Sequence, residues 1–274
     1  MASRTLAATG VGVYVRRVLV IAYLFLLVAW PVSMVAKQTF AHGFDSLDTA
    51  LHDAVVTHAL TLTIEVALVS VALNLVFGVG VSVLLVRHRF RGRRLLSALV
   101  DLPLAVSPVV VGLALVLVYG GRGGWFGPTL ERGGIKVIFA TPGIVLATVF
   151  VSLPLVIREV VPVLEEIGIE QEQAARSLGA SAVQTFRRVT LPSIRWAVMY
   201  GIVLSLARAL GEFGAVKIVS GNLIGRTQTA TLLVEQKYQD FEQGTAYAAA
   251  FLLASASVLC ILVVALIRPR QGAG

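Results

Sequence analysis

Six apolar runs alternate along the chain with short polar segments. A hydrocarbon core about 30 Å thick takes roughly 20 helical residues to cross, and the runs at about 18–36, 58–86, 97–119, 137–160, 197–219 and 244–267 meet that length. The pattern predicts an all-α, polytopic membrane protein with six transmembrane helices and no long soluble domain. Proline marks where these helices depart from regularity. Pro31 predicts a kink in the first run, and Pro142, Pro154 and Pro162 lie around the fourth. In the third, Pro103 and Pro108 remove two backbone donors, which predicts a bent or interrupted helix. Irregular backbone at membrane depth is tolerated inside protein or beside a water-filled cavity. Ser107 and Pro108 are therefore candidates for lining a route, against the plainer reading of a kink without solvent.

Polar residues inside the runs carry the next signal. The second run contains Glu65 and Asn74, with Gly78 and Gly80 suited to close helix packing. The fifth places Arg208 and Glu212 four residues apart, on one face of a continuous helix. Charges at that depth face protein or a cavity. Two readings stand: an ion pair that fixes the bundle, and groups bordering a translocation path together with Gly214. Gly201, Ser205 and Gly211 allow a partner helix to approach.

Between the fourth and fifth runs lies the most polar long stretch, 171–196, QEQAARSLGASAVQTFRRVTLPSIRW. Gln173, Ala174, Ala175 and Leu178 form a short helical face, and Gly179 ends it. Ser181 followed by Gln184 predicts a capping box that restarts a helix. Ala182, Phe186 and Val189 give that helix an apolar stripe, Arg187 and Arg188 suit its C-terminal end, and Leu191-Pro192 is expected to close the unit. A basic amphipathic loop lying on lipid headgroups is the rival reading.

Composition supports the membrane assignment: 57% of the 274 residues are hydrophobic, and the mean hydropathy is +0.86. The net charge of +8 would suit nucleic acid, but its distribution argues otherwise. Fifteen Lys and Arg fall on the side holding both termini and the second and fourth loops, against six on the other. That is the positive-inside asymmetry; it places both termini in the cytoplasm and assigns the basic charge to orientation and anionic lipid. The RHRFRGRRL loop, with Arg87, Arg89, Arg91, Arg93 and Arg94, reads as a topological anchor. The first run is too long for an ordinary signal core and is expected to be retained, and Arg268 is an ordinary cytoplasmic stop. One cysteine, Cys260, excludes an intrachain disulfide and a cysteine metal cluster. His42, His52 and His58, with Asp45, Asp48 and Asp53, are too dispersed for a metal site and read as a solvated connector, which also weakens a membrane-enzyme reading. The external GGRGGWFGPTLERGG, with Trp125 and Phe126 at the interface, reads either as a movable segment near a substrate entry or as a simple turn. The external loop 220–244 sets Arg226 beside hydroxyls and backbone amides, which suit an anion but which any polar loop offers. No G-x-x-x-x-G-K-[ST] phosphate loop occurs, so ATP hydrolysis would have to come from another chain. A secondary transporter would show internal repeats, and none is visible.

The spacing of Gln173-Ala174-Ala175, Gly179, Val189 and Leu191-Pro192 resembles the EAA loop of ABC-importer permeases, with Gln173 in place of the usual Glu and Val189 in place of Ile. Glu170 or Glu172 is the candidate substitute for the missing charge. Beyond this loop, DLPLAVSPVVVGL, GGWFGP, FATPGIVLATVFVSLPLVIREVVP, RRVTLPSIRW and ARALGEFGAVKIVSGNLIGRTQT resemble the sulfate/thiosulfate importer permeases of the CysW type. The ALGEFGA segment is shared with molybdate and tungstate permeases. The resemblance implies a type I permease domain over 57–267, with the docking loop at 170–192, preceded by 1–56 (tail, first helix and external loop) and followed by a cytoplasmic tail at 268–274. It also implies docking through Gln173, Ala174, Ala175, Leu178, Gly179, Phe186, Leu191 and Pro192 onto two copies of a cytoplasmic ATPase. A second permease of the CysT type and an extracytoplasmic sulfate-binding protein complete the implied assembly. ATP and Mg are expected on the ATPase, and no cofactor on this chain.

Overall fold

The computed structural model describes residues 10–41 and 43–267. Most of the basic N-terminal tail, His42 and the expected tail at 268–274 with Arg268 lie outside the described residues.

The first run is longer than expected. Helix α1 (Gly10–Leu24) passes through a π turn at Phe25–Ala29 into α2 (Trp30–Thr39). Pro31 sits in the first turn of α2. It has no N–H to give the carbonyl four residues back, and the wider turn just before it relieves the clash of its ring. The predicted kink is thus a π bulge. The connector 37–57 holds a short helix, α3 (Asp45–His52), which buries Ala50. Helix α4 (Ala54–Arg87) has 34 residues, about 50 Å at 1.5 Å per residue, so it extends beyond the bilayer core. Asp53 caps it, with Oδ1 accepting from the Val55 N–H at 2.7 Å.

The third run breaks as the prolines predict. Helix α5 (Arg93–Ala105) and α6 (Pro108–Tyr119) meet at 115°, because Pro108 starts α6 and the preceding Ser107 is extended. After α7 (Gly127–Arg132), the fourth run forms α8 (Thr141–Glu166), with Pro154 and Pro162 inside the helix. Then come α9 (Glu170–Ser177) and α10 (Ala182–Thr185), a π turn at Phe186–Thr190, and α11 (Leu191–Leu210). Here one expectation fails: Leu191-Pro192 does not close the unit. Leu191 is helical at φ −63 and ψ −42, and helix runs from Ala182 to Leu210. The π turn absorbs Pro192 as the earlier one absorbs Pro31.

The fifth run is also not one helix. It stops at Leu210 and restarts as α12 (Gly214–Ser220), with Gly211 at the end of α11. The loop 220–243 contains a further helix, α13 (Ala230–Gln239), that the sequence reading missed. Gln228, Ala230, Leu232 and Leu233 are buried, so this loop folds back onto the bundle. Helix α14 (Gln243–Ile267) is the last element among the described residues. Among the described residues, five helices have the length and apolarity to cross a membrane, and six if the bent pair counts as one span, which matches the six runs of a multi-pass membrane protein.

Helices α4, α8 and α11 form the centre. One cluster packs Val79, Val156, Val160, Leu164, Ile194 and Val198; another packs Leu62, Val66, Ile144, Ala147, Val216 and Val219. Gly78 and Gly201 both face Val156: a Cβ on Gly78 would lie 2.8 Å from Val156 Cγ1, and one on Gly201 3.0 Å from its Cα. Gly80 has open space instead, so the close-packing expectation holds for Gly78 alone of that pair. Between these helices Asn74 Nδ2 donates to Ser152 Oγ at 2.8 Å and to Ser205 Oγ at 3.2 Å.

Candidate functional site

Up to the π turn, the loop between α8 and α11 has the local structure its sequence predicts. Helix α9 ends at Gly179, whose φ of +85° is the left-handed conformation that glycine adopts without strain. A Cβ there would meet nothing within 4 Å. Helix α10 then starts with both bonds of the capping box, Gln184 N–H to Ser181 Oγ at 3.3 Å and Ser181 N–H to Gln184 Oε1 at 2.9 Å.

The exposed face of this loop is apolar at its tip. Leu178 is 90% exposed and Val183 66%, and Gln173, Ala174 and Gly179 are exposed beside them while Ala175 is half-buried. Of the expected apolar stripe, Phe186 and Val189 are half-buried and Ala182 is exposed. Phe186 and Leu191 pack against the Val156–Ile194 cluster, so these two support the loop from beneath. Pro192 lines an open cleft with Gln171, Ala174, Arg188, Val189 and Arg195.

The base of the loop pairs two residues that the sequence assigns to other roles, Arg87 to a topological anchor and Glu172 to the missing docking charge. Arg87, at the end of α4, donates from Nη1 to the Leu164 carbonyl at 2.9 Å, from Nη2 to the Gly168 carbonyl at 2.7 Å and from Nε to Glu172 Oε1 at 3.1 Å. Thr190 Oγ1 donates to the same Glu172 oxygen at 2.9 Å. Glu172 therefore points inward and is not free to replace the charge absent at Gln173, while Glu170 is exposed. Nothing in the sequence separates Arg87 from the four arginines that follow it, except its place directly after the second apolar run.

The second group of candidates gathers where two broken spans meet. Pro108 begins α6 and Gly214 begins α12, and a Cβ on Gly214 would lie 3.0 Å from Pro108 Cβ. Gly112 packs as closely: its Cβ would be 2.8 Å from the Ala215 carbonyl oxygen. Ser107 is exposed and caps no backbone group. Arg208 and Glu212 do pair, with Nη1 2.7 Å from Oε2, although Glu212 lies in the break rather than on a shared helix. The contact is close, but its alignment is not that of a hydrogen bond, and Oε2 has no other partner. Glu212 Oε1 accepts from the Ala215 N–H at 3.0 Å and so holds the start of α12. The glutamate side chain is 2% exposed and the arginine 38%, so the pair presents its positive end outward. Thr231 of α13 donates to the Glu212 carbonyl at 2.8 Å, which brings the folded-back loop to the same break.

Among the described residues no three His, Cys, Asp or Glu side chains converge as metal ligands. His52 instead lies against Asp48, with Nδ1 2.8 Å from its carbonyl oxygen and 3.4 Å from its carboxylate.

Comparison with known proteins identifies this architecture. Residues 74–272 match the family described as binding-protein-dependent transport system inner membrane component. The sulfate transport system permease protein CysW of Synechococcus elongatus is 48% identical over 91% of this chain and 87% of that protein. The sulfate transport system permease protein CysT of Salmonella typhimurium is 36% identical over 91% of this chain and 90% of that protein. In fold, the chain is similar to a bacterial ABC transporter involved in import of the acidic polysaccharide alginate, with a TM-score of 0.77 and 17% identity over 95% of this chain and 96% of that one. The family match spans most of the chain, from α4 through the α8–α11 loop to α14, and the chain belongs to the binding-protein-dependent transport system inner membrane component family.

Proposed function

We propose that this chain is the membrane-spanning permease subunit of an ATP-driven importer that moves sulfate, and thiosulfate as its close analogue, across the cytoplasmic membrane. The observation that carries the substrate is the 48% identity to a sulfate permease along nearly the whole chain. The partners follow from the same resemblance: a second, homologous permease, two copies of a cytoplasmic ATPase that binds ATP and Mg, and an extracytoplasmic binding protein that delivers the anion. Both termini face the cytoplasm, as does the docking loop. The exposed Leu178, Val183 and Ala174 enter a groove on the ATPase, which explains why the loop leaves them in water.

Transport then proceeds by alternating access. ATP binding closes the ATPase pair, the docking loops move with it, and the helices tilt to open a cavity outward to the binding protein. Hydrolysis returns the cavity inward. Ser107, Pro108, Gly214 and the Arg208–Glu212 pair border the path at the facing breaks. The outward end of Arg208 supplies positive potential for a dianion.

The test is uptake of labelled sulfate by the reconstituted assembly. ATP dependence, vanadate sensitivity and competition by thiosulfate are expected. Stronger competition by molybdate or tungstate would reassign the anion, and uptake without the ATPase would overturn the importer class. Docking is tested by Gly179→Val. The open space at this position leaves backbone strain of about 1–2 kcal/mol and bulk on the partner-facing side as its only effects. The variant is expected to insert normally and to lose ATPase during purification; full retention and full uptake would sink the docking assignment.

A further inference from the structure

Arg87 does more than anchor a basic loop. Its guanidinium is 10% exposed and binds the Leu164 and Gly168 carbonyls together with Glu172. The two carbonyls belong to the end of α8, where a helix leaves acceptors unsatisfied and carries the negative end of its dipole. Glu172, 12% exposed, passes the connection to Thr190 in the π turn before α11. Two side chains thus tie together the ends of α4 and α8, helix α9 and the entry to α11.

The loop has little else to hold it. Helix α9 buries none of its eight residues. It is joined to α8 through Gly168, whose φ of +65° marks a backbone turn that a side chain would strain. The Gly168 carbonyl is one of the groups that Arg87 holds. Without the arginine, α9 would keep only the Glu172–Thr190 bond and its packing against the π turn and α10, with nothing tying it to the ends of α4 and α8.

We infer that Arg87 is a positioning residue that makes the docking loop one mechanical body with α4 and α8, so that a displacement of α9 reaches the helices at the centre of the bundle. This rests on the docking reading above. Arg87 has no part in binding the ATPase; its contribution is to convert loop motion into helix motion.

The experiment compares sulfate transported per ATP hydrolysed in the complete reconstituted assembly, alongside the amount of ATPase retained. Arg87→Gln is expected to keep the ATPase and its hydrolysis while lowering that ratio about tenfold, within the usual range of coupling between linked sites. Arg87→Lys keeps the charge but not the fork that reaches three acceptors, and is expected to remain uncoupled. An unchanged ratio in Arg87→Gln, or full restoration by Arg87→Lys, would overturn the inference, the second outcome leaving only a charge anchor. Should Arg87→Gln fail to accumulate, Thr190→Val removes only the hydroxyl bond to Glu172, and a fall of about threefold is expected; no fall there would be equally decisive. ATPase loss in Gly179→Val with an unchanged ratio in Arg87→Gln removes the clamp alone. ATPase retention in Gly179→Val removes the docking reading beneath it.

Discussion

Removing Arg208 should cost far more than removing the charge of Glu212, although the two form one ion pair. Glu212 is almost fully buried, and its second oxygen has only Arg208 beside it. Arg208→Gln strands that carboxylate with one backbone N–H for compensation, and breaking a buried pair in this way costs about 3–5 kcal/mol. The partial exposure of the arginine sets the expectation near about 3 kcal/mol. Glu212→Gln keeps an amide oxygen for the Ala215 N–H, and Arg208 can turn to water, so its cost is about 1 kcal/mol. The double variant strands no charge and should resemble Glu212→Gln, giving a coupling of about 3 kcal/mol. Equilibrium unfolding of the four proteins in mixed detergent micelles measures this. Losses additive within about 0.5 kcal/mol would refute the pair. Sulfate uptake by the same proteins addresses the path: unchanged uptake in a stable Arg208→Gln assembly would remove Arg208 from it.

The remaining predictions concern packing, capping and topology. Gly78→Leu drives a side chain into Val156 and should cost about 1–3 kcal/mol by the same unfolding assay, whereas Gly80→Leu, facing open space, should stay within about 0.5 kcal/mol. Ser181→Ala removes the capping box of α10 and, at about 1 kcal/mol, should speed amide exchange over 182–185 about fivefold without changing exchange in α8. Single cysteines at Asp48, Arg132 and Gln239 in a Cys260→Ala background should label from outside, and those at Arg91 and Ser181 only after permeabilisation; the reverse pattern would invert the topology.

The six runs, the break at Ser107-Pro108, the capping box and the Gly179 turn were legible because each rests on local chemistry: apolar length, a missing N–H, a hydroxyl three residues before an amide, a missing Cβ. What failed had its cause elsewhere in the chain. Pro192 read as a terminator because the π turn that accommodates it has no residue signature. The fifth run looked continuous because Gly211 and Gly214 serve close packing as well as a break, and Glu212 closes the gap by capping α12 from within it. The burial of α13 depends on contacts such as the Ala230 N–H to Thr63 Oγ1, 167 residues apart. The pairing of Arg87 with Glu172 was hidden for the same reason: 85 residues separate them.

Asn74 imposes an order of events on the making of this protein. Its first partner, Ser152, lies 78 residues downstream, and its second, Ser205, 131. At a synthesis rate of 5–20 residues per second the first follows after about 4–16 s and the second after about 7–26 s. For that interval the amide nitrogen has entered the membrane ahead of the two hydroxyls that will accept from it. Helices α4 and α8 can align before the docking loop exists, but the three-way junction closes only when α11 arrives. Were α4 to slide by one turn, about 5.4 Å, the amide nitrogen would lose both hydroxyls, and a slip of α8 or α11 would remove one of them, so the asparagine penalises misaligned insertion by leaving a donor that hydrocarbon cannot solvate.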